Sequence, residues 1–246
     1  MTDAAYLLVH GDREYLLEPG EEFGTDLGVL EVPEDVEGGD TVETHLGTAF
    51  AVRELRGPDL FNHLERTGAP MMPRDVGLVM GHTGASGGDR VLDAGTGTGI
   101  LAAYLGRAGA DVTTYEVDGE FAGVARANMA TAGVADRVEV RTGDLTEELD
   151  ALAADEPFDA LTLDTGDAPA VVERADELLA SGGCLAVYSP FVEGTREAVL
   201  AAREAGLDGI ETLETIQREM DFSERGSRPS TAGVGHTGYL VFARAP

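Results

Sequence analysis

The chain has no lysine; all 17 of its basic residues are arginine. That removes the Tyr-Lys proton relay that a nicotinamide-dependent oxidoreductase would be expected to carry. Cysteine is almost as scarce. Cys184 is the one example, so an internal disulfide and a cysteine-rich zinc site are both excluded. It lies in the apolar run Cys184-Leu185-Ala186-Val187-Tyr188, which predicts a buried structural thiol. No apolar run approaches the roughly 20 residues of a membrane-spanning helix. No signal peptide is visible at the start, so a cytoplasmic location is expected. Repeats and low-complexity segments are also lacking.

Acidic residues, by contrast, are abundant. Forty-six Asp and Glu against 17 basic residues give a net charge of −29 and a pI of about 4.2. They are spread through every segment instead of being gathered in a tail. A dispersed carboxylate coat of this kind looks like that of proteins from salt-accumulating halophiles. In molar salt the screening length falls to about 3 Å, so self-repulsion is largely suppressed. Net charge then reports the solvent more than the partner, and it does not exclude nucleic acid. Only local arginine clusters carry that information. With 246 residues, 43% of them hydrophobic, the chain can bury the core of one α/β domain and hold a small appendage.

The rest of the chain is arranged around Val91-Leu92-Asp93-Ala94-Gly95-Thr96-Gly97-Thr98-Gly99. An apolar strand, residues 90–94, ends at a carboxylate and runs into three alternating glycines, and a helical pattern starts at Ile100. Strand, glycine turn and helix in that order make a nucleotide-shaped pocket at the carboxyl end of a parallel strand. Glycine suits the turn because a Cβ forbids its backbone angles and would keep a ligand off the main chain. A second strand, Val112 to Tyr115, ends at Glu116, whose carboxylate can accept both hydroxyls of a ribose. The glycines are spaced G-T-G-T-G, whereas a dinucleotide pyrophosphate asks for G-x-G-x-x-G. Acidic residues around the loop suit a sulfonium and an amino group better than phosphates. The cofactor expected is therefore S-adenosyl-L-methionine, in preference to NAD.

Along the chain, residues 1–55 read as short strands. Tyr6–Val9 and Glu14–Leu17 form a hairpin, and Phe50–Val52 is a last strand. Helices are expected over 59–66 and 75–83. After Glu116, helices over 118–132, 145–154, 169–179 and 193–205 alternate with strands over 137–141, 158–163 and 184–188. A terminal β pair spans 210–218 and 239–243. This alternation predicts an α/β fold, a Rossmann-like, doubly wound class I methyltransferase sheet over 56–246, preceded by a small N-terminal β domain over 1–55.

Four consecutive strands end in carboxylates: Asp93, Glu116, Asp144 and Asp164. Each alone could be a helix cap, but four at successive strand ends point to a ligand site. Asp93 is expected near the methionine amino group, Glu116 at the ribose, and Asp144, following Gly143, at the adenine amine. Together with Gly95, Thr96, Gly97, Thr98 and Gly99 they make the expected cofactor set. Asp164, on the substrate side, is the candidate catalytic residue, and no metal is expected.

The glycine loop, Tyr115-Glu116, Leu163-Asp164 and the ending Arg228-Pro229…His236-Thr237-Gly238-Tyr239-Leu240 together resemble the tRNA (adenine-N1)-methyltransferases, in their archaeal form. Thr44-His45-Leu46-Gly47 and Pro73-Arg74-Asp75 look like upstream signatures of that family. The resemblance runs from about Thr25 to the end. It implies methylation at N1 of adenines 57 and 58 in the TΨC loop of tRNA, by a homotetramer. It also matches Asp164 to the catalytic carboxylate. The chain departs from the family pattern at Ala69, where Gln is usual, and at Arg74, where Lys is usual. Thr165-Gly166-Asp167-Ala168-Pro169 replaces a proline-rich run, and Asp167 is a lesser rival to Asp164. Arg218, Arg225, Arg228 and His236 concentrate positive charge in a C-terminal loop, which suits contact with tRNA phosphates. Tyr188, with Phe191, could stack on the target base. The glycine core by itself also fits a methyltransferase of a small molecule or a protein side chain. An NAD-dependent oxidoreductase fits it less well.

Overall fold

The computed structural model describes residues 5–233, 235 and 238–246. The chain begins with strands β1 (Tyr6–His10), β2 (Arg13–Leu17), β3 (Glu22–Thr25), β4 (Gly28–Glu31), β5 (Thr41–Glu43) and β6 (Ala49–Glu54). Helices α1 (Gly57–His63) and α2 (Pro73–Thr83) follow. The alternating part then runs through β7 (Arg90–Ala94), α3 (Ile100–Arg107), β8 (Asp111–Glu116), α4 (Gly119–Thr131), β9 (Val138–Thr142), α5 (Leu145–Ala153) and β10 (Phe158–Leu163). Next come α6 (Ala168–Val172), α7 (Ala175–Leu178), β11 (Leu179–Ser189), α8 (Val192–Glu204) and β12 (Asp208–Glu214). The hairpin β13 (Met220–Ser223) and β14 (Gly226–Pro229) precedes the last strand, β15 (Tyr239–Arg244). Among the described residues, no helix is long and apolar enough to cross a membrane.

The seven-stranded sheet has the order β12-β15-β11-β10-β7-β8-β9, parallel except at β15, which runs antiparallel to both β11 and β12. This is the expected doubly wound α/β fold with its antiparallel edge pair. Strands buried on both faces read as continuous apolar runs, as in Phe158–Leu163, where five of six residues are buried.

By contact density the chain divides into two compact units. The first comprises residues up to Pro73, with Ser86–Gly88 and Thr96–Gly143. It holds an antiparallel sheet of order β2-β1-β6-β5 and the hairpin β3–β4. Their inward faces make a core of Leu8, Leu17, Leu30, Val42, Phe50 and Val52. The same unit contains α3, β8, α4 and β9. The second comprises Arg74–Ala85, Asp89–Gly95 and the chain from Asp144 on, with β7, β10, β11, β12 and β15 and the helices from α5 to α8.

Four expectations need correction. The helix expected over 169–179 is two short ones, α6 and α7, because Arg174 leaves helical geometry at φ −109°, ψ 9°. The buried positions Val171, Val172, Ala175 and Leu178 keep one apolar period across the break, so the spacing read as a single helix. The strand expected over 210–218 stops at Glu214, where its partner β15 begins at Tyr239. The segment read as a loop around Arg225 and Arg228 is instead the hairpin β13–β14. Cys184 is only half-buried.

Candidate active site

The first unit holds the glycine turn from Thr96 on. Gly97 and Gly99 sit at φ 51° and 82°, the left-handed region. The Gly97 amide donates to Glu116 Oε2 at 2.8 Å, and the Asp118 amide donates to Oε1 at 3.1 Å. Glu116 is thus a buried carboxylate fixed by two backbone donors, and each oxygen keeps a second lone pair for a ligand hydroxyl. Gly143 packs behind it, its amide donating to the Glu116 carbonyl at 2.9 Å. Thr96 is buried with its hydroxyl 2.5 Å from that of Thr114. Thr98 is also buried; its hydroxyl accepts from the Thr67 amide at 3.3 Å, and its carbonyl accepts from Asn128 Nδ2 at 2.8 Å.

Asn128 was not singled out in the sequence. Its amide donates also to the Glu65 carbonyl at 2.9 Å, while its Oδ1 accepts from the Glu65 amide at 3.1 Å. The available signal was a polar residue on the buried face of α4, between Ala125 and Met129.

The second unit holds the other strand ends. Asp93 is buried on β7 and accepts a hydrogen bond from the Thr162 hydroxyl on β10. Thr162, likewise overlooked, is a polar residue inside the apolar run just before Asp164. Asp144 caps α5: its Oδ1 accepts from the Thr146 amide at 2.8 Å and hydroxyl at 2.7 Å. These hydrogen bonds favour its ionised form and lower its pKa.

Asp164 is tied to the glycine loop by its backbone. Its amide donates to the Ala94 carbonyl at 2.8 Å. Gly95, at φ 85°, lies so close that a Cβ there would stand 2.0 Å from the Asp164 carbonyl oxygen. Bare backbone at Gly95 is a steric requirement.

The Asp164 side chain opens on a cavity of about 560 Å³, lined also by Thr165, Pro169, Tyr188, Ser189 and Phe191. Burial pushes its pKa up to about 7, and the nearby negative charge of Asp93 adds to the shift. Tyr188 stays a phenol: burial raises its pKa, as do the charges of Asp164 and then Asp75, with Arg74 opposing. Asp75 is itself buried at the start of α2, with Arg74 Nε at 3.7 Å. Asp167, the rival carboxylate, is exposed and does not line the cavity.

Of the expected substrate contacts among the described residues, Tyr188 and Phe191 line this cavity and the arginines do not. Arg218, Arg225 and Arg228 are exposed residues in and around the β13–β14 hairpin. Arg218 donates to the Ser230 carbonyl at 3.4 Å, and Arg228 lies 3.9 Å from Asp221. His236 lies outside the described residues.

The sheet order, the glycine turn after β7 and the carboxylate closing β8 define a class I S-adenosylmethionine-dependent methyltransferase. A solved O-methyltransferase of Thermotoga maritima superimposes with a TM-score of 0.79 at 26% identity, covering 100% of this chain and 94% of that one. A tRNA (m1A58) methyltransferase, TrmI, of Aquifex aeolicus superimposes with a TM-score of 0.72 at 23% identity, covering 98% and 96%. Residues 62–226 match the family described as tRNA methyltransferase complex GCD14 subunit. The chain is 34% identical to the tRNA (adenine(57)-N(1)/adenine(58)-N(1))-methyltransferase TrmI of Methanocaldococcus jannaschii, over 98% of this chain and 95% of that one. With the tRNA (adenine(58)-N(1))-methyltransferase TrmI of Thermus thermophilus it shares 30% identity, over 84% and 81%. The chain belongs to the TrmI family of tRNA (adenine-N1)-methyltransferases.

Proposed function

We propose that this protein methylates N1 of adenines 57 and 58 in the TΨC loop of tRNA, the substrate named for its Methanocaldococcus relative. The observation that carries the reading is the Asp164 cavity. Its volume of about 560 Å³ falls within the roughly 300–1,000 Å³ of small-ligand pockets, and its walls include the aromatic rings of Tyr188 and Phe191.

The protein fits S-adenosylmethionine. Positive-φ glycines leave bare backbone at the turn, and the carboxylates of Asp93, Glu116 and Asp144 are acceptors for amine and hydroxyl groups. Those residues, with Gly95, Thr96, Gly97, Thr98, Gly99 and Gly143, would hold it. When bound, it supplies an activated methyl group on a cationic sulfur. Asp164 is the catalytic residue. Its carboxylate accepts a hydrogen bond from the exocyclic amine of adenine, which turns N1 toward the methyl group. The same negative charge offsets the positive charge the ring gains on methylation. Tyr188 and Phe191 flank the base once it has left its stack in the loop. Most of the acceleration then comes from holding N1 in line.

Outside the cavity, we assign phosphate contacts to Arg218, Arg225 and Arg228, and to His236. The exposure of all three arginines supports this, and in the hairpin register Arg228 faces Asp221 on one side while Met220, Phe222 and Pro229 share the other. The exposed apolar groups Ile216, Met220 and Phe222 support a homo-oligomer, a tetramer by family resemblance. We assign the enzyme to the cytoplasm, a location that a tRNA substrate supports. We take residues 1–55 as an appended β domain and 56–246 as the methyltransferase domain; the separate core within the first 52 residues supports that division.

The test is methyl transfer from labelled S-adenosylmethionine to unmodified archaeal tRNA in molar KCl, with the product nucleoside identified. 1-Methyladenosine should form with the wild type and vanish with Asp164→Ala. The likeness to the Thermotoga O-methyltransferase favours, as second reading, a small-molecule acceptor in the same cavity. Cofactor binding without any tRNA methylation would replace the first reading with that one.

A further inference from the structure

The terminal motif around Gly238 is among the most specific features of the sequence, and the proposed function leaves Gly238 itself without a role. Gly238 is buried, directly before β15. The β11–β15 register sets Ser189 opposite Tyr239 and Tyr188 opposite Leu240, so the backbone of Gly238 passes over the carboxyl end of β11. A Cβ built on Gly238 would stand 2.6 Å from Tyr188 Cζ and 2.7 Å from both Tyr188 Cε2 and the Ser189 carbonyl oxygen. Separations under 3.0 Å are ones that real Cβ atoms essentially never show. Of the three nearest atoms, two belong to the hydroxyl-bearing end of the Tyr188 ring and one is backbone. The residue is also at φ 156°, which L side chains rarely adopt.

We propose that Gly238 is a positioning residue for methyl transfer, acting through Tyr188: its bare backbone is the surface that fixes the phenol ring in the wall of the Asp164 cavity. The same ring lines the cavity together with Asp164, Ser189, Pro190 and Phe191. A methyl group at position 238 would drive the ring toward the space reserved for the base. The assignment rests on the reading of the cavity as the base site. The role is distinct from the phosphate contacts assigned to Arg228 and His236, because it is exerted on the ring of Tyr188.

The experiment is a double-mutant cycle on the full-length protein in molar KCl, using Gly238→Ala, Tyr188→Leu and the double variant. Single-turnover transfer to tRNA, KM for S-adenosylmethionine and thermal midpoint are measured for each. Gly238→Ala should lower the transfer rate 10- to 100-fold with KM for S-adenosylmethionine unchanged. Tyr188→Leu, which clears the space, should lower the rate by itself. In that background Gly238→Ala should cost less than 2-fold in rate, while its contact with the Ser189 carbonyl and its backbone strain still lower the thermal midpoint. If the two losses multiply, or if Gly238→Ala lowers only the midpoint, the proposal is wrong. The double variant also covers the case in which Gly238→Ala alone fails to fold. Asp164→Ala, run beside them, keeps the readings apart: full activity in that variant would overturn the cavity assignment, whatever the cycle gives.

Discussion

Gly95 shows how much one absent methyl group can decide. It needs a positive φ of 85°, and its Cα lies against the main chain of Asp164, where no side chain can swing away. Gly95→Ala therefore has no cheap relaxation. It should destabilise the fold by at least about 3 kcal/mol, combining backbone strain with a main-chain clash. Thermal unfolding and cofactor titration would both register the loss, and a midpoint within a degree of wild type would contradict it. Asp164 offers a second test, in pH. Its folded pKa of about 7 exceeds its ordinary 3.8, so between those values the folded state holds a proton that the unfolded chain releases. The stability linked to that proton is complete below about pH 4 and is lost as pH rises through 7. Asp164→Asn should then leave stability unchanged near pH 4 and raise it above pH 7, by on the order of 3 kcal/mol. Equal effects at both ends would show that the carboxylate is not buried at a cost.

Among the elements, α4 does more than cover the sheet. Through Asn128 it ties the chain after α1 to the carbonyl of Thr98 in the glycine turn. Asn128→Ala would leave the buried Thr98 carbonyl and the part-buried backbone groups of Glu65 without their partner. At about 1 kcal/mol per lost bond, plus the cost of unsatisfied groups, the expected destabilisation is about 2–4 kcal/mol. S-adenosylmethionine affinity should fall with it, because the turn loses its support. Urea denaturation and cofactor titration would check both, and unchanged affinity would mean that the turn holds its shape without the helix. Asn128 also marks the boundary of what could be read without coordinates. The glycine turn, Glu116 and Asp164 were legible because their function depends on local chain order, strand then turn then helix. The partners of Asn128 lie 63 and 30 residues away, and Thr162 reaches across to Asp93, 69 residues distant. Spacing holds no record of such pairs. The β13–β14 hairpin was missed for a different reason: all eight of its residues are exposed, so it lacks the inside-outside alternation that reveals a strand.

For the whole molecule, charge governs. Among the described residues, eight arginines lie within 4.0 Å of a carboxylate: Arg13, Arg56, Arg74, Arg90, Arg137, Arg141, Arg174 and Arg228. Most of these pairs are well exposed and individually contribute little. They cannot balance 46 acidic residues. Self-repulsion should therefore destabilise the enzyme in dilute buffer, and screening should restore it. We expect the thermal midpoint and the methyl-transfer rate to rise from dilute buffer to molar KCl. Full stability and activity without salt would contradict this. Arg225→Ala and Arg228→Ala should weaken tRNA binding while leaving S-adenosylmethionine binding intact, which filter binding beside cofactor titration would resolve.

The bond from the Asp164 amide to the Ala94 carbonyl, and the contact of Gly95 with the Asp164 carbonyl, join the ends of β7 and β10 into one rigid corner. Descent with modification cannot treat that corner as two parts. A mutation that reshapes the loop displaces the carboxylate as well, so both must be inherited together. New acceptor specificities in such a lineage are expected at lining residues outside the corner, such as Ser189, Pro190 and Phe191, where side chains can be exchanged without disturbing it.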